Sequence, residues 1–171
     1  VARNPVAPSL LVLGGAKFET KLPLVRTYLR TCEHVFVGGA LAHDIWRARG
    51  YSLGTSLHSK TELTDRAVID APNLLLPIDV VVSDGERTRV TTPDDVDSTE
   101  MILDAGPETI TQLGEYISAA RTIIWNGPLG NYERGFKAAT ETLARHIAGA
   151  PGHSIVGGGD TIASIASMCI E

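Results

Sequence analysis

The sequence predicts an α/β fold, a Rossmann-like doubly wound parallel sheet with helices on both faces in three layers (α/β/α). Three observations predict it. Short uninterrupted apolar runs alternate with stretches of helical period, and most of those runs stop at glycine. Hydrophobic residues make up 43% of the 171, yet aromatics only 5%, so aliphatic residues and glycine must fill a core of the kind buried parallel strands present. A chain of this length fills one such core.

The first run, Leu10 to Leu13, ends at Gly14-Gly15, after which Leu22, Val25 and Leu29 recur at helical spacing. A helix is expected from near Thr20, with Pro23 in its first turn, where a missing amide hydrogen costs little. His34 to Val37 then stops at Gly38-Gly39, and ALAHDIWRARG continues as a helix closed by Gly50. Residues 73–83 hold two apolar runs split by Pro77, so strands are expected there. Asp84 to Thr99 is polar and turn-rich and reads as a long surface loop. Ile110, Leu113 and Ile117 mark a helix after Gly106-Pro107, and TIIW (Thr122 to Trp125) a strand ending in Asn126-Gly127-Pro128. Phe136, Ala139, Leu143 and Ile147 share a helical face; SIV (Ser154 to Val156) then runs into Gly157-Gly158-Gly159-Asp160-Thr161 and a last helical segment.

Five apolar strands with helical crossovers imply parallel pairing, with ligands bound at the strands' carboxyl ends. Glycine turns at 14–15, 38–39, 127 and 157–159 all fall at those ends, where bare backbone can approach a ligand closely.

Charge and composition exclude several partners. Net charge is -5 with no basic stripe, so nucleic acid is not expected. No apolar stretch approaches the roughly 20 residues of a membrane span, and the first residues lack the order of a signal peptide, so a soluble, cytoplasmic chain is expected. A monomer is also expected. Cys32 and Cys169 have no CxxC partner or nearby histidine ligand and read as small buried hydrophobes. The five histidines are scattered and read as structural or solvent-facing.

GGGDT frees the amides of a strand-to-helix turn whose helix dipole suits phosphate, and Asp160 beside it offers an oxygen ligand to Mg2+. Taken alone, the turn reads equally as an N-cap with glycines kept for close packing. Lys17 and Lys21 lie four apart at a helix start, where the field disfavours cations unless an anion is bound. That spacing favours phosphate contacts over two solvated lysines. Neither GxxxxGK[ST] nor GxGxxG is present, which disfavours a P-loop enzyme or a dehydrogenase. A dehydrogenase would need a ribose-binding acid about 20 residues past the first glycine turn, and Glu33 near that distance precedes the second strand instead of ending it.

The blocks LGGAKFETK, FVGGALA, LLPIDVVV, LDAGP, WNGPLGNYE and SIVGGGDTIA, in this order, resemble the carboxyl-terminal domain of phosphoglycerate kinase over about residues 4–168. The resemblance implies a nucleotide-binding domain over residues 1–171 that binds Mg-ADP or Mg-ATP. It also implies reversible phosphoryl transfer, in glycolysis, between 1,3-bisphosphoglycerate and ADP, with 3-phosphoglycerate as the other product. It gives Lys17 and Lys21 to the phosphates, Lys21 following the moving group, and Gly38, Gly39 and Leu103 to the adenine pocket. Asn126 and Pro128 take the phosphate and ribose side, Glu133 the ribose hydroxyls, and Gly158, Gly159, Asp160 and Thr161 the phosphate and magnesium turn, with Asp160 on the metal. Lys21, Gly158 and Gly159 would carry catalysis. Without the resemblance, Glu133 reads as a solvated loop carboxylate.

Nothing in the chain corresponds to the family's amino-terminal phosphoglycerate-binding domain, and the closing glycine-rich turn is missing after GGGDT. A fragment that binds nucleotide with negligible turnover is therefore expected. The alternative is a nucleotide-binding module without kinase activity. Phe18-Glu19-Thr20, Ala40 and Ile102 depart from the family pattern, and Ile102, where glycine is frequent, narrows the adenine pocket and bears on base preference.

Overall fold

The computed structural model describes residues 5–16, 18–166 and 168. In chain order the elements are β1 (Ser9–Leu13), α1 (Phe18–Tyr28), β2 (His34–Val37), α2 (Ala40–Ala48), α3 (Arg66–Ile69), β3 (Leu74–Leu75), β4 (Val80–Ser83) and β5 (Thr88–Thr91). They continue with β6 (Met101–Ala105), α4 (Pro107–Ala119), β7 (Thr122–Asn126), a 3-10 turn (Tyr132–Arg134), α5 (Ala138–Ala148), β8 (His153–Gly157) and α6 (Gly159–Ile165).

Five strands form the expected parallel sheet, in the order β3-β2-β1-β7-β8. β1 lies at its centre and is buried along its whole length. Because successive side chains alternate faces, Leu10 and Val12 pack with Ile110, Leu113 and Ile117 of α4 and Leu143 and Ile147 of α5. Leu11 and Leu13 pack with Val25 of α1, Leu41 and Ile45 of α2, and Val68 of α3. Each such aliphatic side chain contributes roughly 1.5–3 kcal/mol on burial, so the two sandwiched layers define the three-layer architecture.

The strands expected in residues 73–83 divide between two sheets. β3 closes the edge of the parallel sheet. After Pro77 the chain turns away, and β4 becomes the middle strand of a separate antiparallel sheet, β5-β4-β6. Val80, Val82 and Ile102 of that sheet pack on Ala42 and Trp46 of α2.

The loop expected over residues 84–99 is therefore corrected: it contains β5, joined to β4 by a tight turn in which Asp84 Oδ1 accepts from the amides of Glu86 (2.8 Å) and Arg87 (2.7 Å). β5 is an exposed edge strand, so its polar residues follow solvent instead of strand periodicity. Arg89 leaves the strand to pair with Glu100 (2.7 Å) and Asp95 (3.1 Å). β6 went unrecognised because Asp104 interrupts its apolar run.

Two smaller corrections follow. α1 begins at Phe18, which places Pro23 inside the helix and not in its first turn. Phe136 precedes α5 and shares no helical face with Ala139, Leu143 and Ile147. Cys32 is buried as expected, while Lys17 and Cys169 lie outside the described residues.

Candidate functional site

β1 has β2 on one side and β7 on the other, so strand order reverses between β1 and β7, and a crevice opens beyond their carboxyl ends. The glycine turns after β1, β2, β7 and β8 meet there, stitched together through main-chain atoms. Gly14 N donates to Asn126 O (2.9 Å), Gly15 N to Pro128 O (2.9 Å), Gly38 N to Leu13 O (2.8 Å) and Leu41 N to Gly15 O (3.1 Å). Gly14 has to be glycine: a Cβ there would sit 2.1 Å from the Pro128 carbonyl oxygen.

Lys21 points from α1 into this junction. Its Nζ donates to Gly14 O (2.9 Å) and to Asn126 Oδ1 (2.7 Å), so two of its three N–H donors are held by the protein and one is left for an anion. Burial lowers its pKa, and the nearby Asp160 carboxylate opposes that shift.

Asp160 is exposed in the first turn of α6, after Gly158 at φ 101°. Thr161 behind it is fully buried; its hydroxyl donates to Gly157 O (2.9 Å) and accepts from Gly127 N (2.6 Å), tying β8's turn to β7's. Gly159 has open space around it, since a Cβ there would meet nothing within 4 Å. Close packing therefore does not account for that glycine.

A cavity of about 340 Å³ opens alongside. Gly39, Leu103, Pro128, Glu133 and Asp160, all anticipated from the sequence, line it. Glu133 sits on the 3-10 turn, whose Asn131 amide donates to Leu103 O (2.8 Å) and so fixes this wall to β6. Gly38, by contrast, packs against Phe36 and Leu129, where a Cβ would come within 2.8 and 2.9 Å of their side chains. Asn126 is not among the lining residues and instead holds Lys21 Nζ.

Sequence reasoning missed Asp104, His43 and Trp46, which also line the cavity. Asp104 is buried, accepts from the amides of Ala105 (2.9 Å) and Ala139 (3.1 Å), and caps α5 from a distance. Burial pushes its pKa up to about 7 against those two donors. His43 and Trp46 lie three apart on α2, a spacing that would have put them on one face with Gly39.

Among the described residues no three His, Cys, Asp or Glu side chains group to cage a metal. Asp160 is instead a single carboxylate lining the cavity, without a hydrogen-bonded partner among the described residues, a donor that suits Mg2+ carried on substrate phosphates. Glu33 lies away from this rim. It accepts from Ser9 N (2.8 Å) and Ser9 Oγ (2.5 Å) at the amino end of β1, the edge opposite the glycine turns, which removes the ribose acid a dehydrogenase would need.

The sequence model of the family described as "Phosphoglycerate kinase" matches residues 1–171. A phosphoglycerate kinase from Rubrobacter xylanophilus is 37% identical over 179 residues, which cover 100% of this chain and 46% of that protein. The solved phosphoglycerate kinase from Coxiella burnetii superposes with TM-score 0.84 at 35% identity, covering 95% of this chain and 45% of that one. The Pyrococcus horikoshii structure does so with TM-score 0.81 at 30% identity, covering 96% and 45%. The chain thus spans less than half the length of these relatives. No helix among the described residues is long and apolar enough to cross a membrane.

Proposed function

The chain belongs to the phosphoglycerate kinase family, and we propose that it is the nucleotide-binding half of such an enzyme, holding Mg-ADP or Mg-ATP in the crevice between β1 and β7. One observation carries the reading: Lys21 is held on Gly14 O and Asn126 Oδ1 at the glycine turns, close enough to Asp160 to feel its charge, and Asp160 and Glu133 both line the cavity alongside. A polyphosphate there meets an ammonium and main-chain turns at one end, and the rest of the nucleotide meets apolar walls at the other. Mg2+ would be held by Asp160 and would neutralise charge on the phosphates. Lys17 is proposed as a second cation for the phosphates.

The whole protein's reaction would be transfer of a phosphoryl group from the acyl phosphate of 1,3-bisphosphoglycerate to ADP. An oxygen of the β-phosphate forms the new P–O bond while the bond from phosphorus to the carboxyl oxygen breaks, leaving 3-phosphoglycerate as a carboxylate. No proton has to move. Catalysis is then alignment plus stabilisation of charge on the equatorial oxygens, the role proposed for Lys21 and the amides of Gly158 and Gly159. Positioning the acyl phosphate is the task of a further domain, and a cytoplasmic, glycolytic setting is part of the same proposal.

Titrating the chain with Mg-ADP and, separately, with NAD tests the reading. Binding of Mg-ADP with none of NAD is the expected result; NAD binding at the rim would contradict it. A module that binds nucleotide without kinase activity remains distinguishable, because the full-length protein would then bind Mg-ADP but turn over no acyl phosphate.

A further inference from the structure

The cavity has two chemically different ends. Gly15, Ala16 and Asp160 form the end next to Lys21, whereas Trp46, Pro77, Val80 and Ile102 form an apolar end. If the polyphosphate takes the charged end, as proposed above, the base occupies the apolar one. His43 is set into that wall, 3% exposed, with its ring stacked on Trp46 at a centroid distance of 5.9 Å.

The hydrogen-bonding state of this imidazole follows from its partners. Nδ1 lies 2.6 Å from the carbonyl oxygen of Leu57, and a carbonyl only accepts, so Nδ1 carries the hydrogen. Burial lowers the ring's pKa, which favours the neutral form with a lone pair on Nε2. Among the described residues Nε2 has no hydrogen-bond partner. Among the described residues the only fully enclosed side-chain nitrogen or oxygen without a partner is His34 Nδ1, so Nε2 of His43, on a ring that lines the cavity, is not fully enclosed. Beside Trp46, Val80 and Ile102, Nε2 of His43 is an acceptor in an apolar part of the wall, a group that costs free energy when covered by a ligand offering it no donor.

We propose that His43 is a specificity-determining residue which selects a 6-aminopurine, its Nε2 accepting a hydrogen bond from the exocyclic amine of the base. A purine without that amine covers the acceptor and leaves it unpaired. This assignment rests on the nucleotide reading above and adds to it the feature by which the base is chosen. The bond from Nδ1 to Leu57 is the positioning contact: it fixes the tautomer and turns the lone pair toward the ligand.

The test compares Mg-ADP with the magnesium complex of purine riboside 5′-diphosphate, which differs only in lacking the 6-amino group. Binding of each is measured by calorimetry to the 171-residue chain and to His43→Phe and His43→Asn. The wild type is expected to favour Mg-ADP by about tenfold. His43→Phe keeps a ring against Trp46 without an acceptor, and should bind the two nucleotides within about twofold of each other. His43→Asn can still donate to Leu57 O but places no acceptor at the Nε2 position, and carries the same expectation should the Phe variant not fold. Equal binding of both nucleotides by the wild type overturns the proposal, as does full retention of the preference in a folded variant. Failure of the wild type to bind either one brings down the nucleotide reading and this inference together, whereas binding without preference refutes only the role of His43.

Discussion

Lys21 Nζ lies 2.7 Å from Asn126 Oδ1, joining residues 105 positions apart in sequence across the point where strand order reverses. The contact aims the ammonium at the crevice instead of at solvent. Asn126→Ala leaves Lys21 anchored only on Gly14 O, so Mg-ADP binding should weaken several-fold, consistent with about 1 kcal/mol for one hydrogen bond. The loss should be smaller than that caused by removing the lysine. Calorimetric titration of the variant measures it, and an undiminished affinity would show that Asn126 does not position Lys21.

The glycines of the rim divide into two kinds. Gly14→Ala forces a Cβ to 2.1 Å from a main-chain oxygen, and the turns after β1 and β7 must separate. A stability loss of roughly 1–3 kcal/mol is expected from such overpacking, read as a lower urea midpoint. Gly159→Ala meets nothing within 4 Å and should leave stability within about 0.5 kcal/mol. If the open space at Gly159 exists for a phosphate, this variant instead loses Mg-ADP affinity. A stable Gly159→Ala protein with wild-type affinity would remove Gly159 from the phosphate turn.

Asp104 links stability to pH. Its pKa in the folded protein is raised to about 7 from an ordinary value of 3.8. Between those values the folded state retains a proton that the unfolded chain has released, so stability falls as pH rises through that window and levels off above about 7. Urea midpoints at pH 5 and pH 8 should show the decline, and Asp104→Asn should flatten it. An equal slope in the variant would assign the titration elsewhere.

Asp79 and Thr109 form the second capping device. Asp79 Oδ1 accepts from Thr109 N (2.7 Å) and Thr109 Oγ1 (2.6 Å), and Oδ2 from Glu108 N (3.0 Å), which satisfies the first turn of α4 from a strand start 30 residues earlier. Asp79→Ala should cost about 2–3 kcal/mol, since amides that a charged acceptor satisfied become unpaired. The thermal midpoint should drop while the affinity of the folded protein for Mg-ADP stays near wild type. A parallel fall in affinity would place Asp79 in the site instead.

Much of the fold was legible because it rests on local rules. The runs ending at Gly14, Gly38 and Gly127 are buried strands, the run ending at Gly157 is an exposed edge strand of the same sheet, and their glycine turns do meet at one rim. What escaped was set by tertiary partners. β5 is polar because it is an edge strand, and β6 was hidden because Asp104 serves a distant helix end from within it. Of the site, Lys21 and Asp160 stood out through residue type and spacing as well as the family pattern, and Glu133 through the family pattern alone. His43 carries no motif: it matters because α2 turns it toward a wall that β4 and β6 complete, and periodicity does not report a cross-sheet juxtaposition. Thr161 belongs to a recognised block, but its hydroxyl is committed to Gly127 N and Gly157 O.

The central claim is that Lys21 and Asp160 serve one bound polyphosphate. Its most direct measurement is the dissociation constant of Mg-ADP for the wild type, Lys21→Ala and Asp160→Ala, determined by calorimetry under one buffer. A charge-assisted contact contributes about 1.5–3 kcal/mol, so each variant should bind at least about tenfold more weakly. Affinity unchanged in both folded variants would contradict the account.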